Sequence, residues 1–106
     1  MFCVVYNFTI KEGMNAQFEK SWADFTEAIY RERGSLGSRL HRTDDPQAYV
    51  AYAQWPSKEI FNEDFPIEKF SKTDQEARQR MTETLNGKIS ITNLEVCDDR
   101  LRSSNA

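Results

Sequence analysis

Runs of β-branched and aromatic residues alternate along this chain with stretches whose apolar positions recur every three or four residues. Residues 2–10, Phe-Cys-Val-Val-Tyr-Asn-Phe-Thr-Ile, form one such run and stop at Lys11-Glu12-Gly13, which predicts a first strand. From about 15 to 33, Phe18, Trp22, Phe25 and Ile29 fall at i, i+4, i+7 and i+11, one face of an amphipathic helix. Asn15 is its expected N-cap and Gly34 the residue just past its end, after Arg31 and Arg33. A more polar strand is expected at 35–43, a turn at Asp44-Asp45-Pro46-Gln47, and a third strand at 48–55, Ala-Tyr-Val-Ala-Tyr-Ala-Gln-Trp.

Pro56-Ser57 opens a helical region that the sequence breaks in two. A first piece runs to about Glu63, Pro66 interrupts, and a second helix starts at Thr73, where Thr73-Asp74-Gln75-Glu76 has capping-box spacing. Ala77, Met81 and Leu85 give it a buried stripe, and Asn86-Gly87 ends it. The last strand is expected at 89–97. Its apolar parity shifts from Ile89 and Ile91 to Leu94 and Val96, which predicts a bulge near Asn93. The reading is one domain over 1–97 and a flexible C-terminal tail over 98–106.

The resulting order, β-α-β-β-α-β, is the split-βαβ pattern of an α+β, ferredoxin-like domain. Its four-stranded antiparallel sheet carries the first and third strands in the middle and the helices on one face. Strands 2–10 and 48–55 are apolar on both parities, as covered strands are. On the first strand Phe2, Val4, Tyr6, Phe8 and Ile10 share one side; Cys3, Val5, Asn7 and Thr9 share the other. If the helices cover the smaller set, the bulky set faces water, a patch too large for a monomer. At roughly 25 cal/mol per Å² its burial supplies several kcal/mol towards association. A homodimer through the sheet face opposite the helices is therefore expected.

Composition narrows the partners. Fourteen basic and 17 acidic side chains give a net charge of −3 with both signs scattered, so no basic stripe tracks a nucleic acid. Two cysteines, Cys3 and Cys97, and a single histidine make a protein-built metal site improbable. No apolar run approaches the roughly 20 residues that cross a bilayer, and no leader pattern is evident. The expected setting is the cytoplasm, with reduced thiols.

Ala51-Tyr52-Ala53-Gln54-Trp55-Pro56-Ser57 leads from strand to helix, Gly34-Ser35-Leu36-Gly37 enters the second strand, and Asn7 precedes a Lys-Glu-Gly turn. On these segments the chain, over about residues 2–97, resembles the antibiotic biosynthesis monooxygenase family of dimeric α+β barrel proteins. The resemblance implies a pocket between helices and sheet. It also implies oxygenation of a small aromatic or quinone-like compound without metal, flavin or other cofactor, the substrate's own phenolate passing an electron to O₂. Trp55 matches a pocket tryptophan of those enzymes. Their asparagine falls on Ala51, their tyrosine on Phe61, and an arginine of the final helix corresponds to Arg78 across a gap. The heme-degrading branch matches at Asn7, but its second tryptophan falls on Asp64, beside Phe65, and no histidine follows His41.

Trp55 and Asn7 are thus the leading catalytic candidates, with His41 third. Trp22, Phe25, Ala51, Phe61, Phe65 and Arg78 are expected to bind substrate. Each has a plainer reading. Trp22 and Phe25 can fill the space beneath the helix. Asn7, a primary amide in an apolar strand, can bond a substrate oxygen or a structural partner. His41 is a candidate general base or a solvated edge residue, and Arg78 an anion-stabilising group or a surface charge. With Ala51 and Phe61 apolar, a non-catalytic ligand-binding or stress-associated dimer is the alternative function.

Overall fold

The β-branched and aromatic run at the N-terminus becomes the middle of a sheet. In the computed structural model, which describes residues 1–102, it forms β1 (Phe2–Thr9). The long amphipathic stretch is α1 (Asn15–Arg33), followed by β2 (Gly37–Arg42), β3 (Ala48–Trp55) and a single-turn α2 (Lys58–Phe61). A 3₁₀ turn (Ile67–Lys69) leads to α3 (Lys72–Glu83), and β4 (Ser90–Glu95) ends the sheet. The strand order is β2-β3-β1-β4, and every neighbouring pair is antiparallel. This is the expected ferredoxin-like arrangement. Of the tail expected over 98–106, residues 98–102 carry no helix or strand; residues 103–106 lie outside the described residues. Among the described residues no helix is long and apolar enough to cross a membrane.

The expectation for the two sides of β1 is reversed. Phe2, Val4, Phe8 and Ile10 are at most 4% exposed and lie beneath the helices. Asn7 and Thr9 are exposed on the other face and Val5 is half-buried. Lateral partners explain the choice. Phe2, Val4, Tyr6 and Phe8 sit opposite Trp55, Ala53, Ala51 and Tyr49, an apolar row. Cys3, Val5 and Asn7 sit between Gln54, Tyr52 and Val50 on one side and Leu94, Thr92 and Ser90 on the other. Polar groups on the second set would lose hydration beneath a helix, so polarity outweighs bulk. Cys3 alone is buried there, its Sγ 3.0 Å from the Tyr52 hydroxyl.

Four local expectations also change. Asn15 is the first helical residue; Met14 holds the cap position without a side-chain bond, while Asn15 Nδ2 donates to the Pro46 carbonyl at 2.7 Å and the Tyr49 hydroxyl at 3.1 Å. Ser71, not Thr73, caps α3, accepting from the Asp74 amide at 3.1 Å. Leu85 lies past the end of α3, in an isolated bridge with Ile10. The bulge at Asn93 is absent, since β1 and β4 pair without interruption from Phe2–Glu95 to Asn7–Ser90. Ile91 therefore faces the helix side and Leu94 the outer side, and the parity shift reflects apolar residues on both faces of an edge strand whose residues are all exposed. Gly34 does adopt the left-handed conformation (φ 74°) expected after α1.

Two polar ties orient α1. At its start the Tyr49 hydroxyl donates to Glu19 at 2.5 Å and Arg42 reaches the same carboxylate at 3.2 Å. These bonds hold the Glu19 carboxyl below its ordinary pKa. Near its end Arg31 pairs with Asp74 of α3 at 2.6 Å.

Candidate functional site

Small side chains on β3 make the space for a site. Ala51 and Ala53 are buried beneath α1, flanked across β1 by Tyr6 and Phe8. Trp22, Phe25 and Ile29 of α1 stand above them, only half-buried, because they border a cavity of about 210 Å³. Trp55 closes one wall, and Thr26, Ser38, Arg78, Met81 and Ile89 complete the lining. Trp22 and Phe25 thus line the space rather than fill it. The volume lies below the roughly 300–1,000 Å³ of drug-sized ligand sites and suits a small ring system.

Trp55 is 2% exposed, set edge-on to Phe61 with ring centroids 5.3 Å apart, and covered by the Arg33 guanidinium 5.0 Å from its centroid. Its Nε1 is buried without a hydrogen-bond partner. An unpaired donor of this kind costs about 1–3 kcal/mol. Tyr6, half-buried in the cavity wall, makes no side-chain hydrogen bond among the described residues. Burial pushes its phenol above the usual pKa, partly opposed by the positive charge of Arg33. It remains a neutral donor at physiological pH. The cavity is thus walled mainly by aromatic and aliphatic side chains, with Tyr6, Thr26, Ser38 and Arg78 as its polar lining and the unpaired Trp55 Nε1 buried in its wall.

The sequence-derived candidates divide between places. Trp22, Phe25, Ala51, Trp55 and Arg78 all line the cavity. Phe61 stands behind it, wedged between Trp55 and Phe2, whose centroid is 5.5 Å away. Phe65 borders an adjoining cleft of about 190 Å³ that shares Phe25, Ile29 and Arg78 with the cavity. Asn7 and His41 are on the opposite face of the sheet. Both flank Val50, and His41 Nδ1 lies 3.0 Å from the Val50 carbonyl oxygen. They are near each other and remote from Trp55. Sequence reasoning missed Tyr6 and Arg33 as site residues. The signal for Tyr6 was the polarity of Asn7 and Thr9, which turns the other parity of β1 towards Ala51.

The sequence profile of the antibiotic biosynthesis monooxygenase family matches residues 1–63, which span β1 to α2 and include Tyr6, Trp22 and Trp55. No curated protein matches the chain. Solved structures of similar fold include a candidate antibiotic biosynthesis monooxygenase from Bordetella bronchiseptica, with 24% identity and a TM-score of 0.74 over 90% of this chain and 95% of that one. Rv0793 from Mycobacterium tuberculosis is 16% identical with a TM-score of 0.70, over 94% and 98%. SnoaB from Streptomyces nogalater, a cofactor-independent oxygenase, is 18% identical with a TM-score of 0.73, over 95% and 97%.

Proposed function

This chain belongs to the antibiotic biosynthesis monooxygenase family, and from that premise we propose that it oxidises a small aromatic or quinone-like compound in the cavity beneath α1, without a cofactor. The observation that carries the reading is the buried, unpartnered Nε1 of Trp55 in an aromatic enclosure. A buried donor left unpaired calls for a partner, and a bound molecule supplies one here in this reading. A substrate oxygen accepting from Trp55 Nε1–H and from the Tyr6 hydroxyl gains two hydrogen bonds that strengthen as it becomes an oxyanion.

That is the demand of oxygenation without a metal or flavin, the class named for SnoaB. The substrate loses a proton to give a phenolate or enolate, which passes one electron to O₂. The two radicals join at the activated carbon, and the resulting hydroperoxide expels water to leave a carbonyl. One CH₂ and one O₂ become one C=O and one H₂O, with the substrate carbon supplying the four electrons that O₂ accepts. The apolar walls keep bulk water from the radical pair.

The working unit in this proposal is a homodimer in the cytoplasm, joined through the sheet face opposite the helices. Half-buried Val5, Val50 and Tyr52, with exposed Leu94, supply the apolar part of that face. Asn7 and His41 then belong to the subunit contact rather than to catalysis. A second reading, binding without turnover, is favoured by Ala51 and Phe61, where no polar side chain is available to hold a second substrate oxygen.

Anthrones, which carry the CH₂ that this step consumes, separate the two when incubated with and without O₂. The first reading expects O₂-dependent formation of quinone or ketone. It also expects Trp55→Phe, which keeps the aromatic wall but removes the donor, to lose about tenfold or more in kcat/KM. Full rate in that variant sinks the assignment of Trp55. Saturable binding with no O₂ uptake leaves only the second reading.

A further inference from the structure

The cleft beside the cavity is chemically unlike it. Its walls are Phe25, Ile29, Phe65, Ile67 and Phe70, with Arg33 and Arg78 among them and no acidic residue. Arg33 spends only Nη2 on protein, bonding the carbonyls of Ile60, Phe61 and Glu63 at 3.5, 2.9 and 3.3 Å. Its Nε and Nη1 have no partner among the described residues. The Arg78 side chain has none either. Arg31, Arg42 and Arg100, by contrast, each hold a carboxylate. Lys69 adds a third cation, 5.7 Å from the centroid of Phe65 on which Arg33 also lies at 6.0 Å. In a chain of net charge −3, this is a local concentration of positive charge beside apolar walls, with Arg33 half-buried and Arg78 and Lys69 exposed at its edge.

Phe25, Ile29 and Arg78 line both spaces, so a rigid molecule lying in the cavity can extend an anionic group into the cleft. We propose that the compound bound here is an aromatic acid. Its ring system lies between Trp22 and Trp55, and its carboxylate is received by Arg78 with Arg33 behind it. This rests on the reading of the cavity as the substrate site and adds the class of the substrate. Guanidinium groups with free N–H donors suit a carboxylate better than any neutral group, because the bonds are charge-assisted and directional. A neutral ring compound of the same shape would bury its rings equally well but leave both cations unpaired.

The test compares 2-naphthoate with 2-naphthamide by isothermal titration calorimetry on the full chain. The acid is expected to bind about tenfold or more tightly than the amide at low salt, with the advantage shrinking as salt is raised. Arg78→Gln should bring the acid-to-amide ratio close to one, and Arg78→Lys should restore part of it. Since the Arg78 side chain makes no bond within the described residues, these variants are expected to fold, which circular dichroism checks. Equal binding of acid and amide overturns the proposal and leaves the cavity reading standing. So does an undiminished ratio in Arg78→Gln. Binding of neither compound removes both together.

Discussion

Replacing Ala51 by leucine tests whether the space under α1 is open, because the two answers differ in sign. Ala51 is 1% exposed, and its side chain borders the cavity of about 210 Å³. Leucine adds three carbons. At about 0.8 kcal/mol for each buried carbon their transfer out of water is worth some 2.4 kcal/mol, and fixing the longer side chain costs about 0.5–1. A stability gain of about 1.5 kcal/mol is expected, with a rise in Tm of about 5 °C or more for a domain of this size. In a core already filled, the same carbons would force neighbours off their rotamers and cost about 1–3 kcal/mol. Urea unfolding with an unchanged m-value gives the number directly, and binding of 2-naphthoate should fall sharply in the same variant. A loss of stability above about 1 kcal/mol would refute the open cavity, and with it the site built around Trp55.

Two further outcomes are expected. The folded-state pKa of Glu19 is depressed by its bonds to Tyr49 and Arg42, so its contribution is present above the unfolded value of about 4.3 and is lost as pH falls through the lower folded value. Glu19 being partly exposed, that contribution is under about 1 kcal/mol. Glu19→Gln should therefore lower Tm slightly at neutral pH and converge with the parent in acid; parallel Tm curves from pH 7 to pH 3 would show no such linkage. On the outer face, Val5→Lys places a charge in the proposed subunit contact. Sedimentation at micromolar concentration should show mass shifting from dimer to monomer with an unchanged circular dichroism spectrum, and an unaltered dimer would place the contact elsewhere.

The elements were legible because their signals are local and redundant. The apolar repeat Phe18–Trp22–Phe25–Ile29 and the run Ala48–Trp55 mark α1 and β3 at the positions where they occur. Caps were less legible, since Ser71 and Thr73 are both good capping residues and only the path of the chain after Phe70 selects between them. The facing of β1 was misjudged from the size of its side chains. Its neighbours in the sheet carried the needed information, for Gln54, Thr92 and Ser90 accompany Asn7 and Thr9 on the polar side. That one inversion moved Asn7 out of the cavity and Tyr6 into it. Trp55, Trp22, Phe25 and Ala51 line the cavity, their facing being set by β3 and α1 independently of β1. Arg33 could not be read from sequence as a site residue, because its position depends on the loop after Trp55 folding back under the end of α1.

β1 is a partition whose two surfaces are chemically separate yet covalently one. Substitutions at Tyr6 or Phe8 can retune what the enclosure accepts without altering the residues offered to another subunit, and changes at Val5 or Asn7 can do the reverse. Deleting or inserting a single residue between Cys3 and Phe8 has no such selectivity. It would exchange the two sets in one step, turning aromatic rings outward and an amide inward, so both properties would be lost at once.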